Sequence, residues 1–196
     1  MTVDPLILRP TDCALVVIDL QRGVTSVPTA PRPPGEVVAN AALLAGALRA
    51  GGGLVVLVRV TQRPDGRDAL RPTIDRAAPA PPRGADWAEI VPELAGHPED
   101  LVVTKRQWGA FYGTELDLQL RRRGIRTVVL CGISTDIGVE STARDAYERG
   151  YDQVFVEDAM AARSAPEHEH TVTRIFPRIG RVRSTAEVVT ALRAVR

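Results

Sequence analysis

The chain of 196 residues has only two cysteines, Cys13 and Cys131, and they form neither a CxxC pair nor a zinc-binding spacing. A disulfide framework and a cysteine-based zinc site are therefore not expected. We expect both thiols to be buried apolar side chains in a reducing compartment.

No segment is basic or apolar enough to indicate a nucleic-acid-binding or membrane protein. The formal net charge is +1, and the 25 basic residues are spread along the chain. No run approaches the roughly 20 apolar residues that span a bilayer, and the first ten residues lack the pattern of a signal peptide. We therefore expect a cytoplasmic protein with a single domain, residues 1–196, that binds neither nucleic acid nor membranes.

Lysine is nearly absent, since 24 of the 25 basic residues are arginine and Lys105 is the exception. In a chain that uses arginine almost everywhere, a single lysine suggests a site that needs a compact ammonium group. Lys105 follows the apolar run Leu101 to Val103, at the predicted end of a strand. Composition alone also allows an ordinary surface lysine.

Buried strands alternate with helices along most of the chain. Ala14 to Asp19 is an apolar run closed by a carboxylate, which is typical of a strand covered on both faces. Further strands are predicted at Leu54–Val60, Leu101–Val103, Thr127–Gly132, Gln153–Glu157 and Gly180–Arg183. Helices are predicted at Gly35–Ala50, Thr114–Arg123, Gly138–Arg149, Ala165–Phe176 and Ala186–Val195. This order predicts a three-layer α/β/α fold around a parallel sheet with right-handed crossovers.

The segment from Thr61 to Asp100 interrupts this alternation and is rich in proline, arginine, aspartate and glycine. Segments of this length without regular structure are usually functional or mobile. Within it, a short helix is predicted near Trp87–Leu94.

Three chemically distinct groups follow predicted strands. Asp19 ends the first strand, Lys105 follows the third, and the turn Gly132–Gly138 joins the fourth strand to its helix. Ligands of open parallel sheets bind outside the carboxyl ends of the strands. If these ends converge, the carboxylate and the ammonium would pair, and backbone N–H groups would face a developing anion. The alternative for Asp19 is a loop or helix-capping aspartate.

Four motifs follow one another between Cys13 and Arg183. They are Leu15-Val-Val-Ile-Asp-Leu-Gln21, Lys105-Arg-Gln-Trp-Gly-Ala-Phe111, Gly132-Ile-Ser-Thr-Asp-Ile-Gly-Val-Glu-Ser-Thr-Ala-Arg144 and Glu157-Asp-Ala159. Their order and spacing resemble the isochorismatase-like hydrolases, also called the cysteine hydrolase superfamily. The resemblance implies a Rossmann-like, six-stranded parallel sheet of order 3-2-1-4-5-6. It also implies a cis peptide bond between Ile133 and Ser134 that aims backbone donors into the pocket.

The resemblance also assigns catalytic positions. It puts the acid/base at Asp19, the lysine at Lys105 and the nucleophile at position 138, where most relatives have cysteine and this chain has Gly138. Glycine cannot form a thioester, and Cys13 and Cys131 lie within or at the start of predicted strands. Covalent amidase chemistry is therefore disfavoured.

True isochorismatases resemble this chain in having glycine at that position, because cleaving a vinyl ether needs no nucleophilic side chain. On this interpretation Asp19 is a general acid that protonates the enol carbon, and water captures the oxocarbenium ion with release of pyruvate. Burial would have to raise the pKa of Asp19 against the opposing effect of Lys105. Two alternatives stay open: amide hydrolysis by an activated water, and a catalytically inactive homologue that binds a metabolite.

Neither a metal nor an organic cofactor is expected. Nicotinamidases of the family carry an Asp-x-His arrangement after the second strand, whereas Thr61 to Gly66 contains no histidine. His168 and His170 point in different directions on a predicted helix, so we expect both to be surface residues. The resemblance further implies a homo-oligomer, a dimer or tetramer, with partner contacts in Thr61–Asp100.

Substrate contacts are predicted from position along the chain. Gln21, two residues after Asp19, is a candidate polar contact. Trp108, Phe111 and Tyr112 are three of the eight aromatic residues, and they are candidates for a pocket wall, for a subunit interface or for packing. A small anionic substrate would also need cationic partners, for which the candidates near this edge are Arg59, Arg63 and Arg106.

Overall fold

The computed structural model describes residues 6–75 and 83–194, and its centre is a six-stranded, all-parallel sheet. The strands are β1 (Cys13–Ile18), β2 (Leu54–Val60), β3 (Leu101–Lys105), β4 (Thr127–Ile133), β5 (Asp152–Ala161) and β6 (Arg181–Arg183). They lie in the order β3-β2-β1-β4-β5-β6, which confirms the predicted fold and strand order. The chain order therefore reverses next to β1, between β1 and β4, where open α/β sheets bind ligands.

Six α-helices lie among the described residues. They are α1 (Arg22–Thr25), α2 (Pro34–Ala50), α3 (Leu116–Arg122), α4 (Glu140–Glu148), α5 (Ala165–His170) and α6 (Thr185–Ala194). Single π-helical turns at Thr135–Val139 and Thr171–Ile175 extend the start of α4 and the end of α5. Short 3₁₀ turns lie at Pro10–Asp12 and Phe176–Arg178.

The sheet is covered on both faces, and β1 shows why its sequence is apolar throughout. Leu15 and Val17 belong to the core shared with α2 and α6, whereas Val16 and Ile18 belong to the core shared with α3 and α4. Successive side chains of a strand point to opposite faces, so a central strand between two helical layers needs apolar residues at every position. Cys13 and Cys131 are buried as expected.

The structure differs from the sequence-based elements most clearly in two places. The helix predicted near Trp87–Leu94 is wrong, because this stretch forms turns and Ile90 bridges to Gln21. β5 continues four residues beyond the predicted end at Glu157, to Ala161. Residues 76–82 of the irregular segment and Val195 of the last predicted helix lie outside the described residues. None of the described helices combines the length and the apolar character that a bilayer crossing requires.

Candidate active site

Asp19 stands immediately after β1 in an unusual backbone conformation. Its φ is 53°, in the left-handed region that residues other than glycine, asparagine and aspartate rarely adopt. Its N–H donates to the carbonyl of Val58 on β2, at 2.9 Å. On the other side of β1, a Cβ atom on Gly132 would lie 2.1 Å from the carbonyl oxygen of Ile18, so only glycine fits there. The backbone on both sides thus holds Asp19 at the edge of the sheet.

The structure brings Asp19 and Lys105 together. Lys105 is the last residue of β3, its side chain is only 2% exposed, and its Nζ lies 2.7 Å from Asp19 Oδ2. The same ammonium donates to the carbonyl of Trp108, also at 2.7 Å. Asp19 Oδ1 is buried and, among the described residues, accepts no hydrogen bond. One carboxylate oxygen is therefore paired with Lys105, and the other has no hydrogen-bond partner among the described residues.

Burial and ion pairing act in opposite directions on Asp19. Burial raises the pKa of this carboxyl from 3.8 to about 6, while the charge of Lys105 and its hydrogen bond lower it. Burial is the larger effect. With a pKa near 6, about a tenth of the molecules carry a neutral carboxylic acid at pH 7.

The turn after β4 forms the opposite wall of the site. The peptide bond between Ile133 and Ser134 is cis, at the predicted position. The hydroxyl of Ser134 donates to the carboxylate of Asp136, and the π-helical turn that follows carries the buried Gly138. A Cβ atom on Gly138 would lie 3.3 Å from Asp19 Oδ2 and 3.5 Å from Lys105 Nζ. Position 138 therefore faces the ion pair directly.

These groups open into one cavity of about 350 Å³. Apart from Asp19, Lys105, Ser134 and Gly138, its wall contains Val24, Thr29, Val60, Gln62, Leu70, Arg83, Arg106, Gln107, Trp108, Ile133, Ile137 and Arg163. Among these described lining residues Asp19 is the one carboxylate, against four cationic side chains. The cavity is suited to a small anion.

The predicted substrate contacts are only partly in this cavity. Trp108 lines it and is 64% exposed. Gln21 does not, because its amide is fully buried, accepts a hydrogen bond from the N–H of Val60 and donates to the carbonyls of Val60 and Trp87. These hydrogen bonds hold the chain after Asp19 in place.

The other two aromatic residues also lie outside the described cavity wall. Phe111 is 3% exposed and packs against Tyr151, with ring centroids 5.9 Å apart, so it belongs to the core beside α4. Tyr112 is 76% exposed at the surface. Of the predicted roles, packing applies to Phe111, and neither residue is among the described lining of the cavity.

Only one of the three arginines predicted to meet an anionic substrate lines the cavity. Arg106 lines the cavity, whereas Arg59 bonds to Thr104 and Arg63 pairs with Asp65. Arg163 was missed because β5 was predicted to end at Glu157. Since β5 ends at Ala161, the rule that ligands bind beyond strand ends would otherwise have selected Arg163. Arg83 lies in the irregular segment, where no periodic signal exists.

His168 is not the surface residue that was predicted, whereas His170 is exposed. His168 is buried, and its Nδ1 lies 2.9 Å from the hydroxyl of Thr135 in the turn that carries Gly138. Burial and the nearby charge of Arg32 lower its pKa, against a smaller opposite effect of Asp136. Within the described parts of the chain, no group of three or more His, Cys, Asp or Glu side chains is placed to hold a metal ion.

Comparisons with known proteins agree with the fold. Residues 13–187 match the family model of the isochorismatase domain. YwoC of Bacillus subtilis strain 168, an uncharacterized isochorismatase family protein, is 53% identical over 176 residues, covering 89% of this chain and 90% of YwoC. The ureidoacrylate amidohydrolase RutB of Variovorax paradoxus strain S110 is 32% identical over 187 residues, covering 80% of this chain and 71% of RutB. The structure of an isochorismatase family protein from Burkholderia thailandensis, 48% identical, superimposes with a TM-score of 0.90 over 95% of this chain and 98% of that one.

Proposed function

Because the chain belongs to the isochorismatase family of hydrolases, we propose that it cleaves a small anionic metabolite by acid/base chemistry at Asp19, with an isochorismate-like vinyl ether as the substrate. The observation that carries this proposal is the state of the Asp19 carboxyl. Its Oδ1 is buried without a hydrogen-bond partner among the described residues, and its pKa of about 6 supplies the acid form near neutral pH. A general acid needs a pKa near the working pH, which burial supplies here.

The proposed reaction conserves atoms and charge. The proton on Asp19 moves to the terminal methylene carbon of the vinyl ether, which leaves an oxocarbenium ion and an aspartate. Water adds to the cationic carbon and returns one proton to the carboxylate. The resulting hemiketal collapses to the alcohol and pyruvate, so the net reaction consumes one water and regenerates the acid.

Lys105 has a defined part in this cycle. When Asp19 has given up its proton, the carboxylate lies 2.7 Å from the ammonium, which stabilises its negative charge in the buried site. The acid is therefore strong enough to protonate carbon, while burial keeps its pKa close to the working pH.

The absence of a side chain at Gly138 supports this chemistry. A Cβ atom there would lie 3.3 Å from Asp19 Oδ2, so the lack of a side chain leaves the carboxyl uncovered on the side of Gly138. The thioester route would need a nucleophile at this position, and the two cysteines are buried, with Cys131 inside β4.

The pH dependence of turnover tests the proposal. With isochorismate as substrate, kcat/KM should be constant below a pKa of about 6 and fall about tenfold per pH unit above it, because only the protonated carboxyl acts. Pyruvate release, coupled to lactate dehydrogenase, measures the rate. Asp19→Asn is the matched variant, since asparagine tolerates the positive φ and keeps an oxygen for Lys105. It should retain the wild-type circular dichroism spectrum and lose turnover; retained pyruvate release in this variant would refute the proposal.

Amide hydrolysis by an activated water is the second candidate, favoured by the similarity to a ureidoacrylate amidohydrolase. In that case Asp19 acts as the base, and kcat/KM for ureidoacrylate rises as the pH rises through about 6. Ammonia is then the measured product. The opposite directions of the two pH profiles separate the candidates.

A further inference from the structure

The three arginines in the cavity wall differ in what else they contact. The Nε of Arg106 lies 2.7 Å from Asp68 Oδ2, which neutralises its charge. The guanidinium of Arg83 lies over the ring of Trp87, 4.1 Å from the ring centroid. Arg163 has no ion pair, hydrogen bond or aromatic contact with its side chain among the residues that the structure describes.

The backbone around Arg163 is nevertheless well held. The preceding residue, Ala162, exchanges two hydrogen bonds with Ala30, at 2.9 and 3.0 Å. The following residue, Ser164, caps α5 in a reciprocal arrangement with Glu167. The side chain of Arg163 thus starts from a fixed point just beyond the carboxyl end of β5, and the fixed backbone reduces the entropy lost on binding.

We propose that Arg163 is the specificity-determining residue of the site and binds a carboxylate of the substrate. The inference rests on the proposed function, because it assigns the substrate's anionic group to one side chain of the same cavity. A planar guanidinium donates two parallel hydrogen bonds to a carboxylate. Among the described arginines of the cavity wall, Arg163 is the one that is neither paired with a carboxylate, as Arg106 is, nor stacked on an aromatic ring, as Arg83 is.

The rest of the cavity restricts the substrate class further. The indole of Trp108 contributes an exposed apolar face, while Asp19 and Lys105 occupy the buried end. A volume of about 350 Å³ lies at the lower end of the range for small-molecule pockets. The substrate is therefore a compact carboxylate with an apolar or unsaturated ring, rather than a neutral amide.

Binding of a ring with and without a carboxylate tests this inference. We would titrate the protein with benzoate and with benzyl alcohol and follow tryptophan fluorescence and the chemical shifts of the ligand. The wild-type protein should bind benzoate more tightly than benzyl alcohol. Arg163→Gln should weaken benzoate binding about tenfold and leave benzyl alcohol unchanged, because only the charged hydrogen bonds are lost. Arg163→Lys keeps the positive charge but loses the paired N–H donors of the guanidinium, so its benzoate affinity should lie between those of the wild type and Arg163→Gln.

The matched control is Arg178→Gln, which removes the same charge from an exposed position outside the cavity. Among the described residues Arg178 makes no side-chain hydrogen bond, ion pair or cation–π contact, so this variant should bind benzoate as the wild type does. Raising the salt concentration should weaken benzoate binding to the wild type and have less effect on Arg163→Gln. Equal benzoate affinity in Arg163→Gln and wild type, or no benzoate binding by the wild type, would overturn the inference.

The Asp19→Asn variant separates this inference from the proposed function. Benzoate binding requires no turnover, and the variant removes a negative charge from the cavity, so it should bind benzoate at least as tightly as the wild type. If Arg163→Gln loses binding while Asp19→Asn keeps turnover, the acid chemistry is wrong and the anion site stands. If Asp19→Asn is inactive and Arg163→Gln binds benzoate normally, the acid chemistry stands and the anion site at Arg163 is wrong.

Discussion

The space beside Gly138 is the feature on which the proposed chemistry depends most directly, and Gly138→Ala tests it. A methyl group there would lie 2.9 Å from Ile18 Cγ2, 3.3 Å from Asp19 Oδ2 and 3.5 Å from Lys105 Nζ. The first distance requires a small shift of Ile18, and the other two place the methyl group against the ion pair. The change therefore narrows the approach to the ion pair, beside which we place the reacting substrate atom or water.

The expected effect on stability is small. Overpacking of a buried site costs roughly 1–3 kcal/mol, and replacing glycine by alanine in a helical backbone recovers about 1 kcal/mol. The free energy of unfolding should therefore decrease by about 1 kcal/mol, which lowers Tm by about 2–4 °C for a domain of this size.

The expected effect on activity is large. Displacing the reacting atom by about 1 Å can reduce the rate on the order of a hundredfold, and we expect kcat/KM for isochorismate to fall by that factor. Pyruvate release at pH 6 measures activity, and thermal unfolding followed by circular dichroism measures stability.

Gly46→Ala is the matched control, because a Cβ atom on this residue of α2 meets nothing within 4 Å. It should raise the free energy of unfolding by about 1 kcal/mol and leave kcat/KM unchanged. A folded Gly138→Ala variant with wild-type kcat/KM would show that the space beside Gly138 is not used, and the reasoning would fail.

Two further predictions concern residues that hold the site. Gln21→Leu should lower the free energy of unfolding by about 3 kcal/mol, because it leaves the backbone groups of Val60 and Trp87 without hydrogen-bond partners. Urea denaturation measures this change. The control is Gln119→Leu, because the side-chain amide of Gln119 bonds only to the exposed Arg123. The wild type should lose stability at acid pH through His168, and His168→Gln should abolish this loss. The pKa of His168 is lowered in the folded state, so unfolding takes up a proton as the pH falls through 6.5, and the wild type loses this contribution below that pH. Asp19 acts in the opposite direction, because its raised pKa makes the folded state gain stability as the pH falls from about 6 to 4. Urea denaturation of wild type and variant at pH 5 and 7.5 isolates the histidine effect; an identical pH dependence in the two proteins would contradict it.

The fold and the centre of the site could be predicted because their signals are local. Continuous apolar runs marked the central strands, and the position of Asp19 and Lys105 at strand ends placed them on one edge of the sheet. The scarcity of lysine was also informative, since the one lysine of the chain is almost fully buried against a carboxylate.

The remaining contacts depend on distant parts of the chain and could not be predicted. The contacts of Gln21 come from Val60 and Trp87, 39 and 66 residues away in sequence. His168 is buried because a turn 33 residues earlier packs against its helix. The length of β5 was underestimated because Glu157 and Asp158 interrupt its apolar pattern, and this error concealed Arg163.

The hydrogen bonds between the segment after β1 and the irregular segment bear on how specificity can be changed. Arg22 and Gly23 donate backbone hydrogen bonds to the carbonyls of Glu89 and Trp87, and Val91 donates to Leu20. On the other side, Val60 is bonded to Gln21, so both ends of the irregular segment are attached to the residues that follow Asp19. A graft from a relative that replaces the middle of this segment and keeps these attachment points would therefore exchange Leu70 and Arg83 at the cavity rim without displacing the Asp19 carboxyl. For protein engineering, this is the region to exchange when the ligand specificity of the cavity is to be changed.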